Sequence, residues 1–541
     1  MAATIAGDAG PGADEAPWWR RGVIYQVYPR SFFDGDGDGV GDLPGIAAKL
    51  GHLRTLGVDA VWISPFYPSP MRDFGYDVTD HRAVDPLFGT LEDLDRLLAA
   101  AHALGIRMVL DYVPNHTSDL HPWFAESRAS RQSPRRDWYV WRDPAPGGGP
   151  PNNWLSTFGG SAWTLDEATG QFYLHTYLRE QPDLNWRNPA VEAEMLDVMR
   201  FWLDRGVDGL RVDAVQNVIK DDRFRDNPPN PAFRPGDDPF TRLLRVFSGD
   251  RPEVHAVIAR MRRVVEEYEG DRVLIGEIYN TVERLVAYYG EDGAGCHFPY
   301  NFQLIVLPWK AREIDAAIRR YESLLPPEAW PSWVLGNHDR SRIASRVGRA
   351  QARVAAVLLL TLRGTPTIYY GDEIGMTDVP IPPDRVRDPF ELNVPGMGLG
   401  RDPERTPMQW SAAPNAGFTT GAPWLPLAAD CRETNVETQR CDPHSMLALH
   451  RRLLALRRAE PALAIGTYAP VDAEGDVLAY LREHEGSRFL IVLNLGREPA
   501  SLAFDGMGEV VLSTYIDRKD VVVRGRIDLR GDEGVVVRLQ R

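Results

Sequence analysis

Residues 207–215 read VDGLRVDAV, a short apolar run whose end carries Arg211 and Asp213. Side chains alternate along a strand with period two, so Arg211 and Asp213 share one face while Leu210 and Val212 take the other. The cation beside Asp213 is expected to hold that carboxylate ionised at neutral pH. A buried run ending in charged groups has the form of a parallel strand feeding the mouth of an α/β barrel.

The same form recurs on both sides. GVIYQVYP begins at Gly22, VDAVWIS at Val58 and IRMVLDYV at Ile106; RVLIGEIY begins at Arg272, CHFPYNF at Cys296, PSWVLGNHD at Pro331 and GTPTIYYGDE at Gly364. With VDGLRVDAV these make eight candidate strands. Stretches such as IAAKLGHLRTLG and LEDLDRLLAAAHALG between them place leucines and alanines at helical spacing and stop at glycine. The expected fold is therefore α/β, a (β/α)8 TIM barrel, occupying residues 17–113 and 181–464.

Two excursions interrupt this rhythm. Residues 114–180, rich in Trp, Pro and Gly, are expected to form an inserted loop-rich domain after strand three, and residues 376–430 a long excursion after strand eight. From residue 465 the pattern changes to DVLAYLRE, RFLIVLNLG, EVVLSTYI and EGVVVRLQR, which reads as a C-terminal all-β domain, a β-sandwich over 465–541.

Active sites of such barrels lie at the C-terminal ends of the strands. Those ends carry Asp111, Arg211, Asp213, Glu277, His338 and Asp339, and strand three leads into Asn115 and His116. Any one of these acids is explained equally well by a helix cap or an ion pair. Their recurrence at several strand ends favours a shared pocket. Glu277 follows the apolar run VLIG, where burial and nearby negative charge raise its pKa and keep a proton for donation. An ionised Asp213 and a protonated Glu277 divide the labour as a retaining glycosidase requires, one attacking the anomeric carbon and the other protonating the leaving oxygen.

The segments DYVPNH, GLRVDAV, GEIY and GNHD, with QPDLNW and RTPMQW, resemble in kind and order those of glycoside hydrolase family 13, the α-amylase superfamily. The last two resemble its oligo-1,6-glucosidase and maltase branch. The resemblance implies Asp213 as nucleophile, Glu277 as acid/base and Asp339 as transition-state stabiliser. It further implies that His116, Arg211 and His338 bind the sugar at the cleavage point. Asp73 and Tyr76 of DFGYD and Arg401 of GRDPERT would close the nonreducing end, with Phe158, Tyr177 and Gln181 also lining the pocket. Tyr177 stands where Phe is more usual. Ala214, following the nucleophile, is the small residue that accompanies α-1,4 preference in this branch.

The implied activity is a retaining, exo-acting α-glucosidase on short oligosaccharides or glucosides, with possible transglucosylation. A trehalose synthase-type maltose isomerase, and a noncatalytic interaction protein of the family, are the alternatives. Retention of Asp213, Glu277 and Asp339 argues against the second.

Bulk properties agree with a small-molecule enzyme. The 541 residues carry a formal net charge of −15, with 43% hydrophobic and 25% charged residues, and no apolar run approaches bilayer-spanning length. That charge disfavours nucleic acid and anionic lipid as partners, leaving a small neutral or cationic ligand and a monomer or homodimer as the expected state. There is no Rossmann glycine fingerprint, phosphate loop or zinc spacing, so no organic cofactor is expected. Cys296, Cys431 and Cys441 are too few for a disulfide framework, although one Cys431–Cys441 bridge is conceivable. The start, MAATIAGDAGPGADEAP, has no basic segment followed by an apolar stretch and reads as a disordered lead-in, so a cytoplasmic location with reduced thiols is expected.

One acidic loop remains, SFFDGDGDGVGDLPG at residues 31–45. Asp34, Asp36, Asp38, the Val40 carbonyl and Asp42 fall at EF-hand-like positions one, three, five, seven and nine, with Gly39 at the sharp turn, but Gly45 replaces the bidentate acid at twelve. A flexible acidic turn is the plain alternative. In the family resembled, the equivalent loop commonly binds calcium, so a structural Ca²⁺ is expected here.

Overall fold

The computed structural model describes residues 16–540. The lead-in read at the chain start lies, through residue 15, outside the described residues. Eight strands, β1 (Ile24–Val27), β2 (Ala60–Ile63), β3 (Arg107–Tyr112), β4 (Gly209–Val212), β5 (Val273–Gly276), β6 (Phe298–Pro299), β7 (Ser332–Val334) and β8 (Thr365–Tyr369), form one sheet ordered β7-β8-β1-β2-β3-β4-β5-β6. All neighbours in it run parallel. Each strand falls within one of the eight expected segments.

Period-two alternation gives the barrel wall two apolar faces. Ile24, Trp62, Val109, Val273, Ile275 and Val334 cluster inside. Tyr25, Ile63, Leu110, Leu210 and Leu274 belong to the larger core shared with the helices. Continued to the strand ends, the inward set runs from Val109 to Asp111, from Gly209 through Arg211 to Asp213, and from Val273 through Ile275 to Glu277. Register places Asp111 beside Arg211 and Arg211 beside Ile275. Gly209 makes this closeness possible, because a β-carbon there would run into Val273.

Local signals fix the helices. Leu91–Ala103 starts with a capping box between Thr90 and Asp93. Leu43–Leu56 starts at Asp42, whose Oδ1 accepts from the Gly45 N–H at 2.6 Å, and stops at Gly57, which takes φ of +100°. Such caps are each worth about 1 kcal/mol.

After β3, the chain forms the helix Pro122–Ala129 and a small antiparallel sheet ordered Trp141–Arg142, Gln171–Leu174, Trp163–Asp166. Trp154, Trp163, Phe172 and Leu174 give this insertion its own apolar cluster. Tyr139 and Trp141 of DWYVW are buried, and Trp138 packs against the same core.

The C-terminal strands are β9 (Thr467–Val471), β10 (Val477–His484), β11 (Ser487–Asn494), β12 (Ala500–Ser513), β13 (Val521–Leu529) and β14 (Gly534–Leu539). They form one continuous antiparallel sheet, ordered β9-β10-β11-β14-β12-β13. The sheet bends at β12, a 14-residue strand with irregularities between Ala503 and Met507 and between Val510 and Leu512. Bulges bend a strand, and Leu502 and Ile527 join Val477, Val492 and Val535 in one cluster. The alternate residues Leu478, Tyr480, Ile491 and Val536 join the barrel core.

All three cysteines are free, so no bridge joins Cys431 and Cys441. Among the described residues, no helix is long and apolar enough to cross a membrane.

Candidate active site

Arg211 is the hub of the site. Its Nη1 donates to Asp111 Oδ1 at 2.8 Å and to Asp213 Oδ1 at 2.7 Å, and its Nη2 contacts Glu277 Oε1. Asp111 has further donors in the Tyr76 hydroxyl at 3.0 Å and Trp62 Nε1 at 3.3 Å. The expected pairing of Arg211 with Asp213 is present, but the same cation also serves Asp111 and Glu277. One guanidinium facing three buried carboxylates cannot neutralise them all. Burial, followed by the charge of Glu277, pushes Asp213 well above the usual carboxylate range; burial pushes Glu277 up as well, with Arg211 opposing. The two carboxyls face each other across one cation, so they titrate as a pair.

Ala214 adds a contact that sequence reasoning missed. It adopts φ of +46° and ψ of +30°, a left-handed turn that costs a non-glycine residue about 1 kcal/mol. The turn aims its backbone N–H at Glu277 Oε2, 2.9 Å away. Its side chain is buried and does not line the cavity.

Asp339 has the opposite electrostatic environment. Its Oδ1 accepts from Arg401 Nη1 at 3.2 Å and from Arg405 Nη2 at 2.8 Å. Burial opposes ionisation, but the neighbouring His338, Arg401 and Arg405 outweigh it and hold the carboxyl far below its ordinary range. His338 is itself driven by burial to about 3, so at neutral pH the two arginines maintain the Asp339 charge.

Arg401 also donates from Nη2 to Asp73 Oδ1 at 2.7 Å and to Asp388 Oδ1 at 2.6 Å, so three carboxylates hold it. Gln181 Nε2 donates to Asp73 Oδ2 at 3.1 Å and lies 3.2 Å from His116 Nε2. His116, pushed by burial to about 4, is neutral. Tyr76 stacks on His338 with centroids 5.4 Å apart and planes 1° from parallel, and its hydroxyl lies 2.8 Å from His338 Nε2. Gln26 Nε2 lies 2.8 Å from His338 Nδ1, anchoring the ring from β1. Phe158 packs edge-on against Phe390 at 5.3 Å, and Arg401 lies 4.9 Å from its ring centre. The Tyr177 hydroxyl accepts from Asn217 Nδ2 at 3.1 Å, a bond that Phe could not make.

These groups surround one cavity of about 690 Å³. Asp73, Tyr76, His116, Phe158, Tyr177, Asp213, Glu277, His338, Asp339 and Arg401 line it; Arg211 and Gln181 stand behind that lining and orient it. Sequence reasoning missed Asp388, Arg405, Asn217 and Gln26. Arg405 opens the quoted RTPMQW segment, a signal present but unused; Asp388 lies in an irregular excursion with no period to read, and the partners of Asn217 are 28 and 40 residues away.

The acidic loop gathers oxygens of Asp34, Asp36 and Asp42 within 4.8 Å of one another, whereas Asp38 stands outside that group. Asp34 accepts from the Gly37 and Gly39 N–H groups at 2.7 and 2.8 Å, and Asp42 from Gly35 at 3.0 Å. Carboxylate oxygens keep further lone pairs after such bonds, and an all-oxygen set suits a hard divalent cation.

The model of the α-amylase catalytic domain matches residues 26–466, and the chain belongs to that family. Within it, the chain falls among the α-glucosidases and oligo-1,6-glucosidases. It is 43% identical over 498 residues to a probable alpha-glucosidase of Rhizobium meliloti (strain 1021), covering 90% of each chain. It is 39% identical to an oligo-1,6-glucosidase of Heyndrickxia coagulans, covering 92% of this chain and 96% of that one. Among solved structures, the alpha-glucosyl transfer enzyme XgtA superposes with a TM-score of 0.92 at 44% identity, covering 97% of this chain and all of the other. The trehalulose synthase MutB of Pseudomonas mesoacidophila MX-45 superposes with a TM-score of 0.89 at 36% identity, covering 98% and 100%.

Proposed function

We propose that this protein is a retaining, exo-acting α-glucosidase that releases one terminal glucose from short α-glucosides, with α-1,4 linkages preferred. The observation that carries this reading is a cavity lined by Asp213, Glu277 and Asp339 in which Arg401 joins Asp73 to Asp339. Asp213 attacks the anomeric carbon while Glu277 protonates the departing oxygen. Glu277 then takes a proton from water, which cleaves the glucosyl-Asp213 ester with net retention. Asp339, kept ionised by its arginines, grips hydroxyls of the reacting ring, and charged groups placed beforehand need no reorganisation during reaction. The Asp73–Arg401 pair, with Tyr76, His116 and His338, receives the terminal hydroxyls and closes that end to a longer chain, while Gln181 orients Asp73 and His116 from behind. Phe158 and Tyr177 offer aromatic surface to the sugar.

The α-1,4 preference rests on the family association of a small residue at position 214. Maltose and isomaltose compared side by side test it, and a strong isomaltose preference would overturn it. Interception of the glucosyl ester by a sugar hydroxyl is a second reading, favoured by the likeness to a glucosyl transfer enzyme and a trehalulose synthase. Net disaccharide formation from maltose, without free glucose, would make it the main activity.

The loop from Asp34 to Asp42 is proposed to hold a structural Ca²⁺ through Asp34, Asp36 and Asp42, with Asp38 and the Val40 carbonyl as further ligands. Burial, and then the charges of Asp36 and Asp34, push the Asp42 carboxyl up against its backbone hydrogen bonds, a repulsion that a divalent cation relieves.

A further inference from the structure

The arginines around this cavity fall into two groups. Arg211, Arg401 and Arg405 are each bound to carboxylates. Arg245 and Arg340 line the same cavity, yet among the described residues neither has a carboxylate oxygen within 4.0 Å. Arg245 comes from the long segment between β4 and the helix Val254–Glu266. Its Nη2 donates to Asn217 Oδ1 at 2.7 Å, and its guanidinium lies 5.0 Å from the Phe240 ring centre. Asn217 in turn holds the Tyr177 hydroxyl, which ties Arg245 to the wall of the reacting site.

The acids nearest Arg245 are already engaged. Asp183 is paired with Lys220 at 2.7 Å, and Asp250 is held by Arg284, Asn280 and Tyr288. Of the other carboxylates lining the cavity, Asp378 accepts from Ser341 and the Arg342 N–H, Asp238 caps the Phe240 N–H, and Glu404 lies with Asp339 on the Arg340 side, which makes Arg245 the freer of the two cations. A guanidinium held in place by a neutral amide and an aromatic ring keeps donors that a ligand can use. Arg401 closes the sugar end together with Asp73, so Arg245 and Arg340 stand where the leaving group or acceptor passes.

Building on the glucosidase reading above, we infer that the leaving-group side of the cavity recognises an anionic aglycone or acceptor, one bearing a carboxylate, through Arg245 with support from Arg340. A single free guanidinium edge suits a planar monoanion. In cleavage the C1–O bond breaks and the Glu277 proton goes to the departing oxygen, so the aglycone leaves as an alcohol or phenol with its carboxylate unchanged. In transfer the acceptor hydroxyl gives its proton to Glu277 and its oxygen forms the new bond to C1, releasing the Asp213 carboxylate.

The test compares 4-carboxyphenyl α-glucoside with its neutral isostere, 4-carbamoylphenyl α-glucoside. The ratio of their kcat/KM values is expected to fall at least tenfold in Arg245→Gln, to be partly retained in Arg245→Lys, and to shrink in the wild type as salt is raised. Calorimetric binding of the same pair to Glu277→Gln protein, with and without Arg245→Gln, reads the preference without turnover. If neither glucoside is cleaved, the glucosidase reading fails while the binding preference still decides the anion site. Equal ratios in wild type and Arg245→Gln, or equal binding of acid and amide, would overturn the inference.

Discussion

The backbone N–H of Ala214 donates to Glu277 Oε2 at 2.9 Å, so the residue after the proposed nucleophile acts directly on the proposed acid. A side chain at position 214 thus influences catalysis through the backbone turn that it permits. Ala214→Val places a β-branched residue at φ of +46°, at a cost of about 1–2 kcal/mol. The N–H bond favours the charged form of Glu277. Loosening it raises the Glu277 pKa, and the basic limb of kcat/KM against pH is expected to move upward. An unmoved limb, with only the maltose-to-isomaltose ratio altered, would mean that the side chain acts by filling space.

Arg211 is the cation shared by Asp111, Asp213 and Glu277. Arg211→Met leaves those carboxylates buried and unpaired, which costs about 3–5 kcal/mol. Their folded pKa values already lie above the ordinary range, and losing the cation raises them further. For an acid with a raised folded pKa, stability is fully present at low pH and declines as pH rises through the folded value. The loss in Tm is therefore expected to be larger at pH 8 than at pH 5. A loss independent of pH would assign Arg211 a packing role only.

Asp213→Ala is expected to lower kcat by about 10³-fold or more, since a covalent route then lacks its nucleophile. Azide supplied in its place should attack from the opposite face and give β-glucosyl azide, identifiable by NMR. Recovery of α-glucosyl azide would contradict the assignment of Asp213.

Asp388 does not line the cavity but accepts from Arg401 Nη2 at 2.6 Å and from its Nε at 3.0 Å. Asp388→Asn is expected to let Arg401 wander and to raise KM for maltose about tenfold, with a smaller change in kcat. A fall in kcat alone would place its influence on the reacting centre through Asp339.

Asp42 is a proposed calcium ligand whose Oδ1 also caps the helix Leu43–Leu56. Chelation is expected to lower the wild-type Tm and to leave Asp36→Ala unaffected. Asp42→Ala should lose about 1 kcal/mol more even in chelator, the value of the cap. Identical melting of wild type with and without chelator would remove the calcium.

The barrel was legible because short buried runs ending in polar residues announce parallel strands, and all eight were located this way. Asp111, Asp213 and Glu277 stood out because they lie at the ends of three such runs, with period two adding Arg211 beside Asp213. The sharing of Arg211 was not legible, since it depends on the register between β3, β4 and β5. The Ala214 turn was hidden for a different reason: alanine gives no sign of a left-handed backbone. Asp388 binds Arg401 from 13 residues away, across an irregular excursion with no period to read. In the C-terminal domain alternation marked the strands, whereas the bulges that bend β12 leave no such mark.

The contact between Asp73 and Arg401 spans 328 positions of the chain. During synthesis the barrel's first strands and Asp213 emerge long before Arg401, so a nascent chain carries the proposed nucleophile without a finished floor. Activity therefore reports completion of the last loops of the barrel, and a protease cut near residue 396 should silence the enzyme while its eight strands remain paired.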